Sequence, residues 1–532
     1  MFSKIDLRIA LAVILVGGAM QLRAQSTAID GSITLHPEKP GPAISRDIFG
    51  QFAEQLGNGI YGGVWVGKDS TIPNVRGIRT DVVQALRALQ VPNVRWPGGC
   101  YAEIYHWRDG IGPADKRPTT YNTSWGSSTD TNAFGTDEFM DFVNQIGSEA
   151  YITVNVGSGT VEEAANWLEY LTTNQPTTLG KERAANGHPA PYRVKFLGIG
   201  NESEACGGEM TAQAYLDRMK TYSLFVRNVD PAQSGATRFM RGPNPMFRIA
   251  VSDEPEYTEA EMKAWQHSTP QWAFDGISVH HYTGAAFGDA ATGFGEKEYA
   301  RFVKQTYEMD DLIVKRSAMM DQYDPKKTVA LVIDEWGVWV RSMPGTKPFY
   351  LQQQNSLRDA ILASLNLNIF ARHADRVRMT NIAQMVNVLQ SMILTDGPKM
   401  LLTPTYHVYS MYVPFQDAQF IPIEVNAGDY KFGDTTVPRV DAIAARARDG
   451  KVWIALTNID PSISADITTN VQGVQVGSAV GEVLTANRVD TVNTLDDPNA
   501  VLPQPITVQA SGGGKLMLHL PAKSVTVVRL EP

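Results

Sequence analysis

The chain has 532 residues, a formal charge of −9, two cysteines and 43% apolar residues. That length exceeds one ordinary domain and sets an expectation of two or three, and no biased segment argues for disorder. An acidic chain without a Lys/Arg cluster is a poor partner for nucleic acid or an anionic membrane surface, and it suits a neutral substrate.

At the N-terminus, Lys4 and Arg8 precede an apolar segment, Ile9 to Met20, and Leu22-Arg23-Ala24 offers a cleavage site. The segment is shorter than the roughly 20 residues that span a bilayer. Residues 1–24 therefore read as a cleaved signal peptide, with no membrane attachment after processing and a periplasmic or secreted destination. Disulfides form in such compartments. With only Cys100 and Cys206 present, at most one bridge exists, and no Cys/His spacing of the zinc type occurs.

From Ile48 to about Met400, short apolar runs alternate with helical patterns, the signature of βαβ units and a parallel sheet. Eight strands are expected, starting near Ile48, Asn93, Tyr151, Val194, Arg248, Asp275, Val329 and Met379. Amphipathic stretches lie between them, among them Asp81–Leu89, Thr136–Ile146, Val161–Leu171, Thr211–Arg227 and Gln354–Arg372. Eight units favour a closed (β/α)8 TIM barrel over an open doubly wound sheet, and no Gly-x-Gly-x-x-Gly turn opens a helix. Beyond about Leu401 the runs are short and alternating, separated by Gly, Pro, Asn and Asp, as in an antiparallel β-sandwich. Gly31–Leu35 is strand-like and is expected to join that sandwich, since chain termini often lie close together. The expected division is a signal over 1–24, a joining strand segment over 25–46, a catalytic barrel over 47–400 and a β-sandwich over 401–532.

Two of the barrel runs end abruptly in a carboxylate: Gly198-Ile199-Gly200-Asn201-Glu202 on the fourth strand and Val332-Ile333-Asp334-Glu335-Trp336 on the seventh. Chemistry in such barrels gathers at the C-terminal ends of the strands. Buried glutamates are rare unless partnered, so these two read as a pair, and a pair of carboxylates is the working part of glycoside hydrolysis. Successive strand side chains alternate in direction, so only one of Asp334 and Glu335 is expected to face the mouth, and spacing does not choose between them. His280 and His281 pose the same question: one is expected to support the nucleophile and the other to be structural. Neither has a His or carboxylate at ligand spacing, so no metal is expected.

An ordered set of motifs resembles glycoside hydrolase family 51. These are Ile48-Phe49-Gly50-Gln51-Phe52-Ala53-Glu54, Arg95-Trp96-Pro97-Gly98-Gly99, and Tyr105-His106-Trp107-Arg108-Asp109-Gly110-Ile111-Gly112-Pro113. Further along come Thr131-Asn132-Ala133-Phe134-Gly135-Thr136-Asp137-Glu138-Phe139, Asn381-Ile382-Ala383-Gln384 and Val492-Asn493-Thr494-Leu495-Asp496-Asp497-Pro498. The resemblance implies a retaining, exo-acting α-L-arabinofuranosidase without cofactor or metal. It gives Glu202 the role of acid/base and Glu335 that of nucleophile, and it favours Glu335 over Asp334. It places Glu54, Asn201, Tyr282 and Gln384 around the furanose ring, with Trp107 and Trp125 lining the pocket. Asn201 is then able to donate to the hydroxyl beside the reacting carbon.

Cys100 stands where many members have Asn, so its sugar contact rests on a weak donor. Members with this cysteine often also carry Cys-Gly-Gly soon after the acid/base, as at Cys206-Gly207-Gly208, which leaves a Cys100–Cys206 bridge and two thiols both open. Ser203-Glu204-Ala205 departs from relatives that carry tryptophan there, on the leaving-group side. The expected partners are arabinofuranosyl-bearing polysaccharides or oligosaccharides such as arabinoxylan and arabinan, with a homo-oligomer left open. Within the family the alternatives are an endo-β-glucanase or a β-xylosidase; outside it, a carbohydrate-binding protein without catalysis.

Overall fold

The structure is a computed structural model that describes residues 28–231, 242, 245–284, 288–511 and 515–531. The expected signal over residues 1–24 lies outside the described residues. Among the described residues no helix is long and apolar enough to cross a membrane.

Eight parallel strands close into a barrel: β1 (Gly50–Phe52), β2 (Asn93–Trp96), β3 (Glu149–Val154), β4 (Val194–Ile199), β5 (Phe247–Val251), β6 (Gly276–Thr283), β7 (Ala330–Val338) and β8 (Val377–Ile382). They neighbour one another in chain order, and β8 closes on β1 through Asn381 opposite Gly50. All eight coincide with the expected apolar runs. These strands are buried on both faces, as parallel strands wrapped by helices must be. Inside the barrel, Tyr151, Phe196, Ile249, Ala330, Val332 and Met379 form an apolar floor. Polar side chains begin immediately above it, toward the C-terminal ends of the strands.

One irregularity shapes the site. Along β6, Ser278 pairs with Val332 and His280 with Glu335, so two steps on β6 match three on β7. The pairing of β7 with β8 slips in the same way, between Ile333 opposite Thr380 and Trp336 opposite Ile382. β7 therefore carries one extra residue at Asp334-Glu335, a β-bulge. Strict alternation does not hold here: the bulge turns both carboxylates inward, Asp334 beneath the mouth and Glu335 at it, while Trp336 still points out against Phe370.

Beyond the barrel stand a four-stranded and a six-stranded sheet. Ile29–Leu35 is an inner strand of the smaller sheet, parallel to Ala465–Val471 and antiparallel to Ile423–Asn426. Ile33, Leu35, Ile454, Leu456, Ile467, Leu518 and Val528 fill the space between the two sheets. The helix Leu357–Arg372 is wedged between barrel and sandwich. Ser364 meets Thr457 at 2.9 Å, and Asn368 and Arg372 both bond Asp441 of the sandwich. It is buried nearly all round, as expected for a helix covered on both sides. A second helix, Pro404–Tyr412, lies beyond Leu401, where only strands are expected; Thr403 caps it and Pro404 starts it.

Candidate active site

The two glutamates meet at the mouth of the barrel. β4 ends in a sharp turn in which Gly200 has φ +86° and Glu202 φ +38°. A side-chain-bearing residue in that left-handed region costs on the order of 1–3 kcal/mol and is held by its surroundings. The turn aims Glu202 across the mouth at β6 and β7. A carboxylate oxygen of Glu202, one of Glu335 and a ring nitrogen of His280 all lie within 4.8 Å of one another.

Glu335 is anchored on both oxygens, Oε1 by Arg95 Nη1 at 2.7 Å and Oε2 by the Tyr282 hydroxyl at 2.9 Å. Asp334, one residue back on the bulge, sits deeper. It accepts from Tyr151 Oη at 2.6 Å and from the Ser278 hydroxyl, and lies 3.3 Å from Arg95 Nε. Burial pushes Asp334 up, but Arg95, His280 and Ser278 outweigh it and hold the group well below the usual carboxylate range. Asp334 is therefore a fixed buried anion that balances Arg95 and His280.

His280 points inward and His281 outward, where it packs by Gln305 on the helix Glu296–Asp321. His280 Nδ1 is 2.9 Å from Glu202 Oε1 and 3.8 Å from Glu335 Oε2, while Nε2 is 3.4 Å from Asp334. Asp253 accepts from the His280 backbone N–H at 2.6 Å. Burial opposes a charge on the ring, yet the surrounding carboxylates, Asp253 and Glu335 foremost, raise His280 well above its usual value. Burial likewise pushes Glu202 up, but the His280 hydrogen bond and charge overcome it and leave Glu202 below its ordinary value. The two directions describe an imidazolium–carboxylate pair at the mouth.

Glu54, at the end of β1, accepts from the Tyr101 N–H at 2.9 Å and from Trp125 Nε1 at 2.8 Å. Gln384 bonds it twice, through its backbone N–H and its carboxylate. Burial, then the charge of Glu335, raises Glu54 to about 7. Asn201 is fixed from two sides. Its Oδ1 accepts from Arg95 Nη2 at 2.6 Å, and its backbone N–H donates to Glu103 at 2.5 Å.

Arg95 and Glu103 are organisers that sequence reasoning left without a role. Arg95 bonds Glu335 and Asn201 and lies over the Phe52 ring, while Glu103 accepts from the N–H groups of Val156, Gly157 and Asn201. Their signal was a charge set within apolar company, in Asn93-Val94-Arg95-Trp96 and Tyr101-Ala102-Glu103-Ile104. A charge in such a setting implies partners.

Trp107 does not reach this site, against expectation. Its indole N–H donates to the Glu163 carbonyl and its ring packs on Tyr170 in the core. Cys100 and Cys206 are bonded to each other, so Cys100 offers no S–H to a sugar. Their sulfurs lie 3.6 and 3.5 Å from Glu202 Oε2.

Gly98 and Gly99 supply room. A Cβ on Gly99 would stand 2.6 Å from Glu335 Oε1, and one on Gly98 2.8 Å from Glu54 Cγ. Gly99→Ala is expected to keep the fold but displace Glu335. Turnover should fall about 10²-fold, the usual cost of an ångström-scale misplacement. Steady-state kinetics beside a thermal melt check this; unchanged turnover in a folded variant refutes it.

Comparison with known proteins gives a consistent picture. Residues 85–272 match the family model described as α-L-arabinofuranosidase 1 domain, and residues 334–524 match the α-L-arabinofuranosidase C-terminal domain. The chain is 41% identical to an intracellular exo-α-L-arabinofuranosidase of Bacteroides ovatus, over 98% of this chain and 99% of that one. It superposes with TM-score 0.88 and 47% identity on the GH51 arabinofuranosidase from Xanthomonas axonopodis pv. citri, covering 94% of this chain and all of that one. An arabinose complex of the Thermotoga maritima α-L-arabinofuranosidase aligns with TM-score 0.82 and 31% identity, with the same coverage. The expectation of a periplasmic or secreted location is overturned by the Bacteroides ovatus relative, whose name is intracellular, and is withdrawn.

Proposed function

We propose a retaining double displacement at this site, starting from the fact that the chain belongs to glycoside hydrolase family 51 and is an α-L-arabinofuranosidase. The observation that carries the proposal is the closeness of Glu202 and Glu335, whose nearest oxygens fit within 4.8 Å. Retaining enzymes hold their two carboxyl groups about 5–5.5 Å apart; inverting ones need roughly 6.5–9.5 Å to admit a water.

In this reading Glu335, aimed by Arg95 and Tyr282, attacks the anomeric carbon. Glu202 protonates the leaving oxygen with a proton drawn from the His280 imidazolium. As negative charge grows on that oxygen, the proton moves off the imidazolium–carboxylate pair, and His280 is left neutral. Water then enters, Glu202 takes its proton, and the second displacement frees Glu335. Asn201, held by Arg95 and Glu103, faces the hydroxyl next to the reacting carbon. Glu54, Gln384 and Trp125 hold the far side of the ring.

Exo-action is part of the same reading. Glu54 and Gln384 are almost wholly buried and Trp125 bonds Glu54, an arrangement suited to enclosing one terminal sugar. The natural substrates we propose are arabinofuranosyl-bearing polysaccharides or oligosaccharides of the arabinoxylan and arabinan kind. Proton NMR of the first product formed from an aryl α-L-arabinofuranoside tests the mechanism: α-arabinose is expected, and β-arabinose refutes it. Assays on aryl β-xyloside and soluble β-glucan beside it are expected to show little turnover.

A further inference from the structure

We propose that reduction of the Cys100–Cys206 bridge turns this corner of the site into a binding site for a thiophilic divalent cation, of which zinc is the representative, held by both thiolates and Glu202. The three residues are already gathered: one ligand atom from each lies within 4.8 Å of the others. The two oxygens of Glu202 face different neighbours. Oε1 is bonded to His280, and Oε2 faces the sulfurs at 3.6 and 3.5 Å. A bridged cysteine has no S–H, so while the bridge is closed the sulfurs give Oε2 no hydrogen bond.

Opening the bridge takes two electrons. A phosphine supplies them with one water, yielding two thiols and the phosphine oxide; a small dithiol supplies them by exchange and leaves as its own cyclic disulfide. Cys206 is exposed and Cys100 half-buried, so a reductant has access. Zinc then displaces one proton from each thiol, since thiolate is the ligand form. Two sulfurs about 2.3 Å from a tetrahedral zinc stand about 3.8 Å apart. Rotation about the Cα–Cβ bonds of two residues with Cα atoms 5.6 Å apart supplies that spread. The Asn201 side-chain N–H, 3.5 Å from Cys206 Sγ, is placed to stabilise a thiolate there. Glu202 Oε2 completes a two-sulfur, one-oxygen set with a fourth position for water, a donor combination suited to zinc.

The consequence rests on the acid/base reading of Glu202. Once coordinated, Glu202 neither gives nor takes a proton. Zinc stops the reduced enzyme and leaves the oxidised one untouched.

The test uses the whole chain, oxidised or phosphine-reduced, desalted without air and titrated with zinc alone against a chromophoric chelator. The reduced protein is expected to take up about one zinc per chain. Its turnover of an arabinoside with a poor leaving group should fall about 10²-fold or more and return on addition of a chelator. The oxidised protein should do neither. Cobalt in place of zinc should give a thiolate-to-metal charge-transfer band in the reduced protein, absent from Cys206→Ser in either redox state. Should that variant not fold, the oxidised and reduced natural chains still decide the matter. A reduced protein that takes up no zinc, or an oxidised one that binds it equally, overturns the proposal. Stoichiometric uptake without loss of turnover upholds the metal site and overturns the acid/base assignment of Glu202 instead, so the two readings fail separately.

Discussion

Glu335→Ala is expected to lose turnover on every arabinoside by at least about 10⁴-fold, because no covalent intermediate forms without the nucleophile. The loss should not depend on the leaving group. Azide added to this variant enters the space the carboxylate vacates, on the face opposite the leaving group. The expected product from an α-arabinofuranoside is therefore the β-glycosyl azide, identified by NMR. Asp334→Ala is the discriminating control, because the bulge on β7 turns both carboxylates inward beside Arg95. Asp334 bonds Tyr151 and Ser278 beneath the mouth, and its removal takes from Arg95 and His280 one of the buried carboxylates that balance them. Breaking such a pair costs about 3–5 kcal/mol. That variant should melt earlier and show no azide product. A β-azide from Asp334→Ala instead of Glu335→Ala would transfer the nucleophile to Asp334.

The eight barrel strands were legible because a parallel strand buried on both faces is an apolar run with sharp ends, and that property is local. Glu202 was legible as a carboxylate just past the end of such a run, and Glu335 as one that interrupts such a run, for β7 continues to Val338. The bulge was not, since register is a relation between three strands and no single one of them shows it. Arg95 and Glu103 stood inside quoted or adjacent motifs, yet their partners lie on other strands and loops, more than 50 residues away in most cases. Trp107 shows the converse. Its motif sits in the loop after β2, which suggested the pocket, but the 3-10 turn Trp107–Gly110 rolls the ring onto Tyr170 and into the core. The helix Pro404–Tyr412 is short and buried on most of its surface, so it has little of the polar face that marks a helix in a sequence.

Glu202→Ala should separate substrates by the quality of their leaving group. Proton donation matters most when the departing oxygen is weakly acidic, and general acid catalysis contributes about 10²–10⁴-fold. On natural arabinosides, whose leaving group is a sugar alcohol, the variant is expected to lose most of its activity. An aryl arabinoside with an acidic nitrophenol needs no proton, so the glycosyl-enzyme on Glu335 should still form quickly. It should then stall, because no base activates water. Stopped-flow absorbance is expected to show a burst of nitrophenolate followed by a slow steady state. Azide is a nucleophile that needs no base; it should accelerate the slow phase and give a glycosyl azide of retained configuration, opposite to that from Glu335→Ala. His280 adds a further expectation. Without Glu202 the ring loses its closest carboxylate, at 2.9 Å, but keeps Asp253, Asp334 and Glu335 around it. It stays charged beside Glu335, so the fast step should survive the mutation. Equal losses on good and poor leaving groups, with neither burst nor azide effect, would remove Glu202 from the acid/base role.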